Sequence, residues 1–233
     1  MPDDLLKMIY PEAESPYDGL KLDEHPDDIQ GWAFNDPVFE EVISKAKPKL
    51  VVEVGSWKGA SAAHMAKLMK VHCERGAKLI CVDTWLGSPE HFLAPFLGED
   101  PDWRRSLRMK NGYPQLYYTF LCNMVRQKVD DMVIPLPQSS IHGALIIREL
   151  GLRPDVVYID ADHEYDSVLA DLRAFWPLLS DDGILIGDDF ISHETVTRAA
   201  YDFSREANVP LVGKYSKFVL SKSRTLQPRI SLG

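Results

Sequence analysis

Five runs of consecutive apolar residues set the main constraint on how this chain folds: KLVVEV (49–54), KLICVD (78–83), MVIPL (132–136), DVVYID (155–160) and GILIGDD (183–189). A strand solvated on one face alternates apolar and polar residues, whereas an unbroken apolar run is hidden on both faces. Helical patterns between the runs supply that cover, so the predicted fold is a doubly wound α/β domain. At the carboxyl ends of four runs stand acids: Glu53, Asp83, Asp160 and the pair Asp188–Asp189. That edge is where open α/β sheets place their ligands.

Neighbouring parallel strands lie roughly 4.8 Å apart, so Asp160, Asp188 and Asp189 are expected to crowd together. Carboxylates that close repel strongly unless a cation, a shared proton or a hydrogen-bond network compensates them. A divalent metal is the simplest of these answers. The local alternative has Asp188 or Asp189 capping the next helix and Asp160 accepting backbone N–H groups in its loop. A cap explains one acid and makes no demand on the other two.

Around these runs the chain divides readily. Residues 1–35 are rich in Pro, Asp and Glu without periodicity and read as an irregular arm or lid, and residues 36–233 read as one domain. Asp36 before Pro37 is an N-cap followed by proline at the first helical position, opening a helix to about Lys45. Further helices are predicted over 59–71, from Ser139 or Ser140 to about Leu150, over 164–179 and from Glu194 to Ala207, and VPLVGKYSKFVLSK reads as a terminal hairpin. Residues 84–131 exceed what a crossover needs and concentrate aromatic residues, including Trp85, Phe92, Trp103, Tyr113, Tyr117 and Phe120. This insertion reads as an acceptor pocket or as the surface of a homo-oligomer, with an added core helix over Pro114–Lys128 an equal alternative for its later aromatics.

With 233 residues, 45% of them hydrophobic, the chain suits a single compact domain. A net charge of −9 and a pI near 5.2 leave no broad basic footprint for nucleic acid. The expected partner is a small molecule or a glycan hydroxyl. No run of about eighteen apolar residues occurs, and MPDDLLKMIYPEAES lacks a basic stretch leading into an apolar one, so no membrane association and a cytoplasmic location are expected. Cys73, Cys81 and Cys122 are odd in number and unpaired in spacing, which argues against a disulfide framework and a thiolate zinc site.

The segment VVEVGSWKGAS (51–61) places an acid at a strand end, then Gly55, then Gly59 at the mouth of a helix. Glycine allows tight turning and close approach to a ligand. Trp57 and Lys58 interrupt the closer glycine triplet that cradles a dinucleotide, which disfavours a redox nucleotide. The combination resembles the class I S-adenosylmethionine-dependent methyltransferases. The resemblance spans about residues 36–221 and implies a Rossmann-like sheet in the order 3-2-1-4-5-7-6, its last strand antiparallel. It further implies that Glu53 lies near the methionine ammonium of the donor, that Gly55, Ser56, Trp57, Gly59 and Ser61 form the donor loop, and that Asp83 accepts from the ribose hydroxyls. Thr84 and Trp85 would flank the adenine, with burial an even alternative for Trp85. Gln138 and Ser139 would contact adenine, Ser139 also being able to cap its helix, and Asp160 would border the cofactor.

Within that superfamily, IDADHEYDSVLADLRAFWPLLSDDGILIGDD (159–189) is similar to the metal-dependent macrocin and sugar O-methyltransferases. The resemblance implies Asp160, Asp188 and Asp189 as metal ligands. Oxygen donors without cysteine suit Mg²⁺, or Mn²⁺ after it. It also implies a base at Asp162 or His163. His163 titrates near the working range and is favoured, and Asp162 beside a cation is the weaker, always ionised alternative. His193, just past the aspartate pair, either reaches the acceptor or faces solvent, and the second is favoured. The expected activity is methylation of a hydroxyl on a sugar, glycoside or glycan, with a catechol- or phenol-type acceptor as the rival and a non-catalytic cofactor-binding domain as a third reading.

Overall fold

A computed structural model describes residues 5–11, 15–97 and 102–222. Seven strands form one sheet: β1 (Leu50–Val54), β2 (Lys78–Asp83), β3 (Val133–Pro137), β4 (Val156–Ile159), β5 (Ile184–Gly187), β6 (Leu211–Lys214) and β7 (Lys217–Ser221). Their order is β3-β2-β1-β4-β5-β7-β6. β1 to β5 are parallel, and β7 runs antiparallel to both β5 and β6. This is the order and hairpin expected from the sequence.

The unbroken apolar runs are explained by cover on both sides. On one face α2 (Pro37–Ala46), α3 (Ala60–His72) and α6 (Leu116–Arg126) bury Phe39, Met65 and Phe120 against Val51, Leu79 and Tyr158. On the other, α7 (Ser140–Glu149), α8 (Tyr165–Phe175) and α9 (Glu194–Ala207) bury Ile147, Leu172 and Phe203 together with Val52, Val157 and Leu185. Asp36 caps α2 by accepting the Val38 N–H, and Ser139 caps α7 by accepting the His142 N–H.

Three expectations need adjustment. The arm is not wholly irregular: α1 (Leu5–Ile9) places Leu5 in the core. The helix predicted to continue to residue 179 stops at Phe175 and passes into a tight turn, Trp176–Leu178, because Pro177 has no N–H with which to continue the ladder. Besides α6, the insertion holds two shorter helices, α4 (Pro89–Leu97) and α5 (Asp102–Ser106). Among the described residues no helix is long and apolar enough to cross a membrane.

Candidate active site

The predicted residues gather at the carboxyl edge of β1, β2, β4 and β5, in two halves. The first is the turn from β1 into α3. Gly55 and Gly59 have φ of +86° and +90°, and Trp57 between them lies at +47°. At Gly55 a Cβ would stand 2.0 Å from the Asp160 carbonyl oxygen, so only glycine lets this turn press against the neighbouring strand end. Asp83 holds the turn in place. One carboxylate oxygen accepts the N–H groups of Ser56 and Trp57, both at 2.9 Å, and the other accepts the Trp85 N–H at 2.6 Å. Burial raises the Asp83 pKa, with the N–H donors opposing the rise.

Glu53 lies beneath this turn, fully buried, and accepts the hydroxyls of Ser56 at 2.6 Å and Ser61 at 2.5 Å. Burial pushes its carboxyl up to about 7. Its place is therefore under the floor of the donor half, supporting Ser56 and Ser61. The Trp85 indole N–H donates to the Trp57 carbonyl, and its ring packs on Tyr117 and Phe120 with 1% exposure. Of the two alternatives for Trp85, the structure supports burial. Thr84 is exposed beside it, and Gln138 and Ser139 follow β3 at the same edge. The Trp57 ring is stacked on His91 of α4, centroids 4.6 Å apart. The insertion thus closes on the donor half through a residue that sequence reasoning missed.

The second half contains the aspartates, around a small pocket lined by Asp160, Asp162, His163, Asp188 and Asp189 with Ile159, Val168, Val196 and Phe218. Much of the compensation expected from a metal is supplied by the chain itself. The Tyr158 hydroxyl lies 2.9 Å from Asp160 Oδ2 and 2.6 Å from Asp188 Oδ2, bridging the two carboxyl groups. The fully buried Lys217 ammonium on β7 donates to that same Asp188 oxygen at 2.6 Å. Burial, together with the neighbouring Asp188, raises the Asp160 pKa well above the usual carboxylate range.

Asp189, in the left-handed region at φ +54°, turns the other way. Its Oδ2 is 2.8 Å from His163 Nε2 and its Oδ1 accepts the Ser192 hydroxyl at 2.6 Å. The His163 contact holds the Asp189 carboxyl down to about 2, and the same bond raises the His163 pKa. With Nε2–H donating to Asp189, Nδ1 is the nitrogen that carries the free lone pair. The His193 side chain is 42% exposed, as expected, and its ring also stacks on His163 at 4.2 Å. Asp162 caps the following turn, accepting the N–H groups of His163 and Glu164. Burial opposes its ionisation, but hydrogen bonds from Ser167 and these N–H groups hold it below the usual carboxylate range. A carboxylate so committed is a weak base, which leaves His163 the better proton acceptor of the two.

Hard carboxylate oxygens are suitable donors for Mg²⁺ or Mn²⁺. Asp189 is the best placed of the three expected ligands. Among the described residues, the ligand atoms that lie within 4.8 Å of one another belong to His163, Asp189 and His193. The two imidazoles are nearly parallel, at 19°, so their in-plane lone pairs run side by side and do not converge on one ion. Asp188 would have to share with a cation the oxygens now bonded to Lys217, Tyr158 and the Asp189 N–H.

Comparison with known proteins adds to this geometry. A family model described as a methyltransferase domain matches residues 52–190. No curated protein sequence matches the chain. Solved structures with a similar fold include an O-methyltransferase from Bacillus cereus in complex with SAH, 15% identical, with a TM-score of 0.53 over 94% of this chain and 95% of that one. The O-methyltransferase TomG from Streptomyces achromogenes, in complex with SAM, is 11% identical with a TM-score of 0.56 over 83% and 81%. The calicheamicin methyltransferase CalS11 is 15% identical with a TM-score of 0.53 over 80% and 78%, and a second structure of it is described as a TDP-rhamnose 3'-O-methyltransferase.

Proposed function

The chain belongs to the methyltransferase-domain family, and from that premise we propose that it transfers the methyl group of S-adenosylmethionine to a hydroxyl oxygen of a sugar, glycoside or glycan. The observation that carries this reading is the His163–Asp189 pair at 2.8 Å, facing a pocket one strand away from the Gly55–Gly59 turn. The turn, Asp83 and the segment at Gln138–Ser139 receive the donor, and the fold neighbours that hold SAM or SAH support that assignment. The sugar acceptor has its support in the likeness to CalS11.

In the reaction the acceptor oxygen attacks the sulfonium methyl carbon in line with the departing sulfur. The O–CH₃ bond forms, the C–S bond breaks, and S-adenosylhomocysteine leaves with the bonding pair. The hydroxyl proton passes to His163 Nδ1, and Asp189 stabilises the imidazolium through Nε2. Asp160, Asp188 and Asp189 would be the residues to hold a divalent cation, Mg²⁺ or Mn²⁺, which would supply charge to orient and acidify the hydroxyl.

Radiolabelled methyl transfer from S-adenosylmethionine to a panel of glycosides and catechols, with added Mg²⁺ or with chelator, tests the proposal. His163→Gln should lower kcat about 10²- to 10⁴-fold with SAH affinity unchanged. Undiminished turnover in that variant refutes the base. Transfer to catechols alone refutes the acceptor class, and full turnover under chelation refutes the metal.

A further inference from the structure

We propose that Asp28, on the N-terminal arm, is a positioning residue for the methyl-donor loop and acts through Lys58. The inference rests on the reading of residues 55–59 as the donor loop. Lys58 sits between Trp57 and Gly59, yet it is fully buried. An ammonium removed from water needs an anion close by. The anion comes from thirty residues upstream: Lys58 Nζ is 2.6 Å from Asp28 Oδ2.

A second clamp closes the same junction. Asn123 of α6, also fully buried, donates through Nδ2 to the Lys58 carbonyl at 2.8 Å and to the Asp28 carbonyl at 3.0 Å. One side chain thus joins the backbone of the arm to that of the loop. Just beyond, Gly31 runs so close to the first turn of α3 that a Cβ there would meet the Ala60 Cβ at 2.7 Å.

The loop needs this support. Three of its five residues have positive φ, and one of them is Trp57, which gains nothing intrinsic from that conformation. Asp83 fixes its first half through the Ser56 and Trp57 N–H groups, and the Lys58 side chain is the handle on its second half. The arm is anchored independently of Asp28. Arg126 donates to the carbonyls of Leu22, His25 and Pro26, and the Tyr17 hydroxyl donates to the Val133 carbonyl. Neutralising Asp28 therefore leaves the arm in place and releases the loop.

The test uses the full chain with Asp28→Asn, Asp28→Glu, and the apolar double variant Asp28→Leu with Lys58→Met. SAH affinity is measured by calorimetry, and KM for each substrate and kcat are measured alongside melting temperature. Asp28→Asn should weaken SAH binding and raise the donor KM about tenfold, with acceptor KM and kcat at saturating donor within about twofold. Asp28→Glu should recover most of the affinity, and the double variant should bind SAH better than Asp28→Asn because no charge is left buried alone. A fall in melting temperature with SAH affinity unchanged would mean a purely structural pair and overturns the proposal. If the unaltered protein itself fails to bind SAH, the donor-loop reading falls and takes the proposal with it. If it binds and Asp28→Asn binds equally well, only the role of Asp28 falls.

Discussion

The two halves of the site balance their buried charge in different ways. In the donor half each acid is satisfied by groups within a few residues of the glycine turn or on the adjacent strand: Glu53 by Ser56 and Ser61, Asp83 by three backbone N–H groups. In the acceptor half, Asp188 depends on an ammonium twenty-nine residues away on an antiparallel return strand. Local hydrogen bonds satisfy the acids of the donor half, where the buried Lys58 is the group that draws its counter-charge from farther off, at Asp28. Three carboxylates gathered for chemistry need positive charge or protons, and the chain supplies these through Lys217, Tyr158 and His163.

The sharpest way to break this contrast is Lys217→Met. It leaves the buried Asp188 carboxylate without its cation and should cost about 3–5 kcal/mol, a drop in melting temperature on the order of 10 °C. SAH affinity should hold, because the donor half draws nothing from Lys217. Adding Asp188→Asn to Lys217→Met should return much of the lost stability. Thermal melts and calorimetry on the three proteins check this, and equal loss of stability in the single and double variants would show that Lys217 acts by packing.

The same contrast decides how much could be read from the sequence. The acids were legible because each ends an apolar run, and a parallel sheet brings such ends to one edge whatever the loops do. Gly55 and Gly59 were legible through their spacing in the turn. Lys217 was not, because a lysine opening the run KFVLS reads as the solvated end of a strand. Only the register that pairs Gly187 with Phe218 carries it inward beside Asp188. Tyr158 read as plain strand core, and its hydroxyl matters only once Asp160 and Asp188 stand on either side of it. Asp28 lies in an arm with no periodicity, and its one clue was the oddity of Lys58 inside a glycine turn. His193 reads correctly as solvent-facing, but its stacking on His163 was not legible because it depends on how the loop after β5 folds back.

Glu53→Gln probes the donor half with a smaller effect and a definite sign in pH. The folded-state pKa of Glu53, about 7, lies above its unfolded value near 4.5. Its contribution is therefore fully present below about pH 4.5 and is lost as pH rises through 7, by up to about 3 kcal/mol well above that. Denaturant midpoints between pH 5 and 9 should decline for the unaltered protein and decline less for Glu53→Gln. Parallel profiles would place the pH dependence elsewhere.

The smallest effect separates two duties of a single side chain. Ser139 caps α7 through the His142 N–H at 3.3 Å and stands at the edge expected to meet adenine. Ser139→Ala should cost about 1 kcal/mol through the lost cap. Ser139→Asp keeps an acceptor at the helix N-terminus, where its charge is favoured, and should recover that stability. If the hydroxyl also contacts the cofactor, Ser139→Asp will be as stable as the unaltered protein yet bind SAH more weakly. If both variants bind SAH normally, Ser139 serves the helix alone, and contact at this edge passes to Gln138. Stability and affinity then part company at one residue of the donor half, while in the acceptor half Lys217→Met moves stability and leaves SAH affinity where it was.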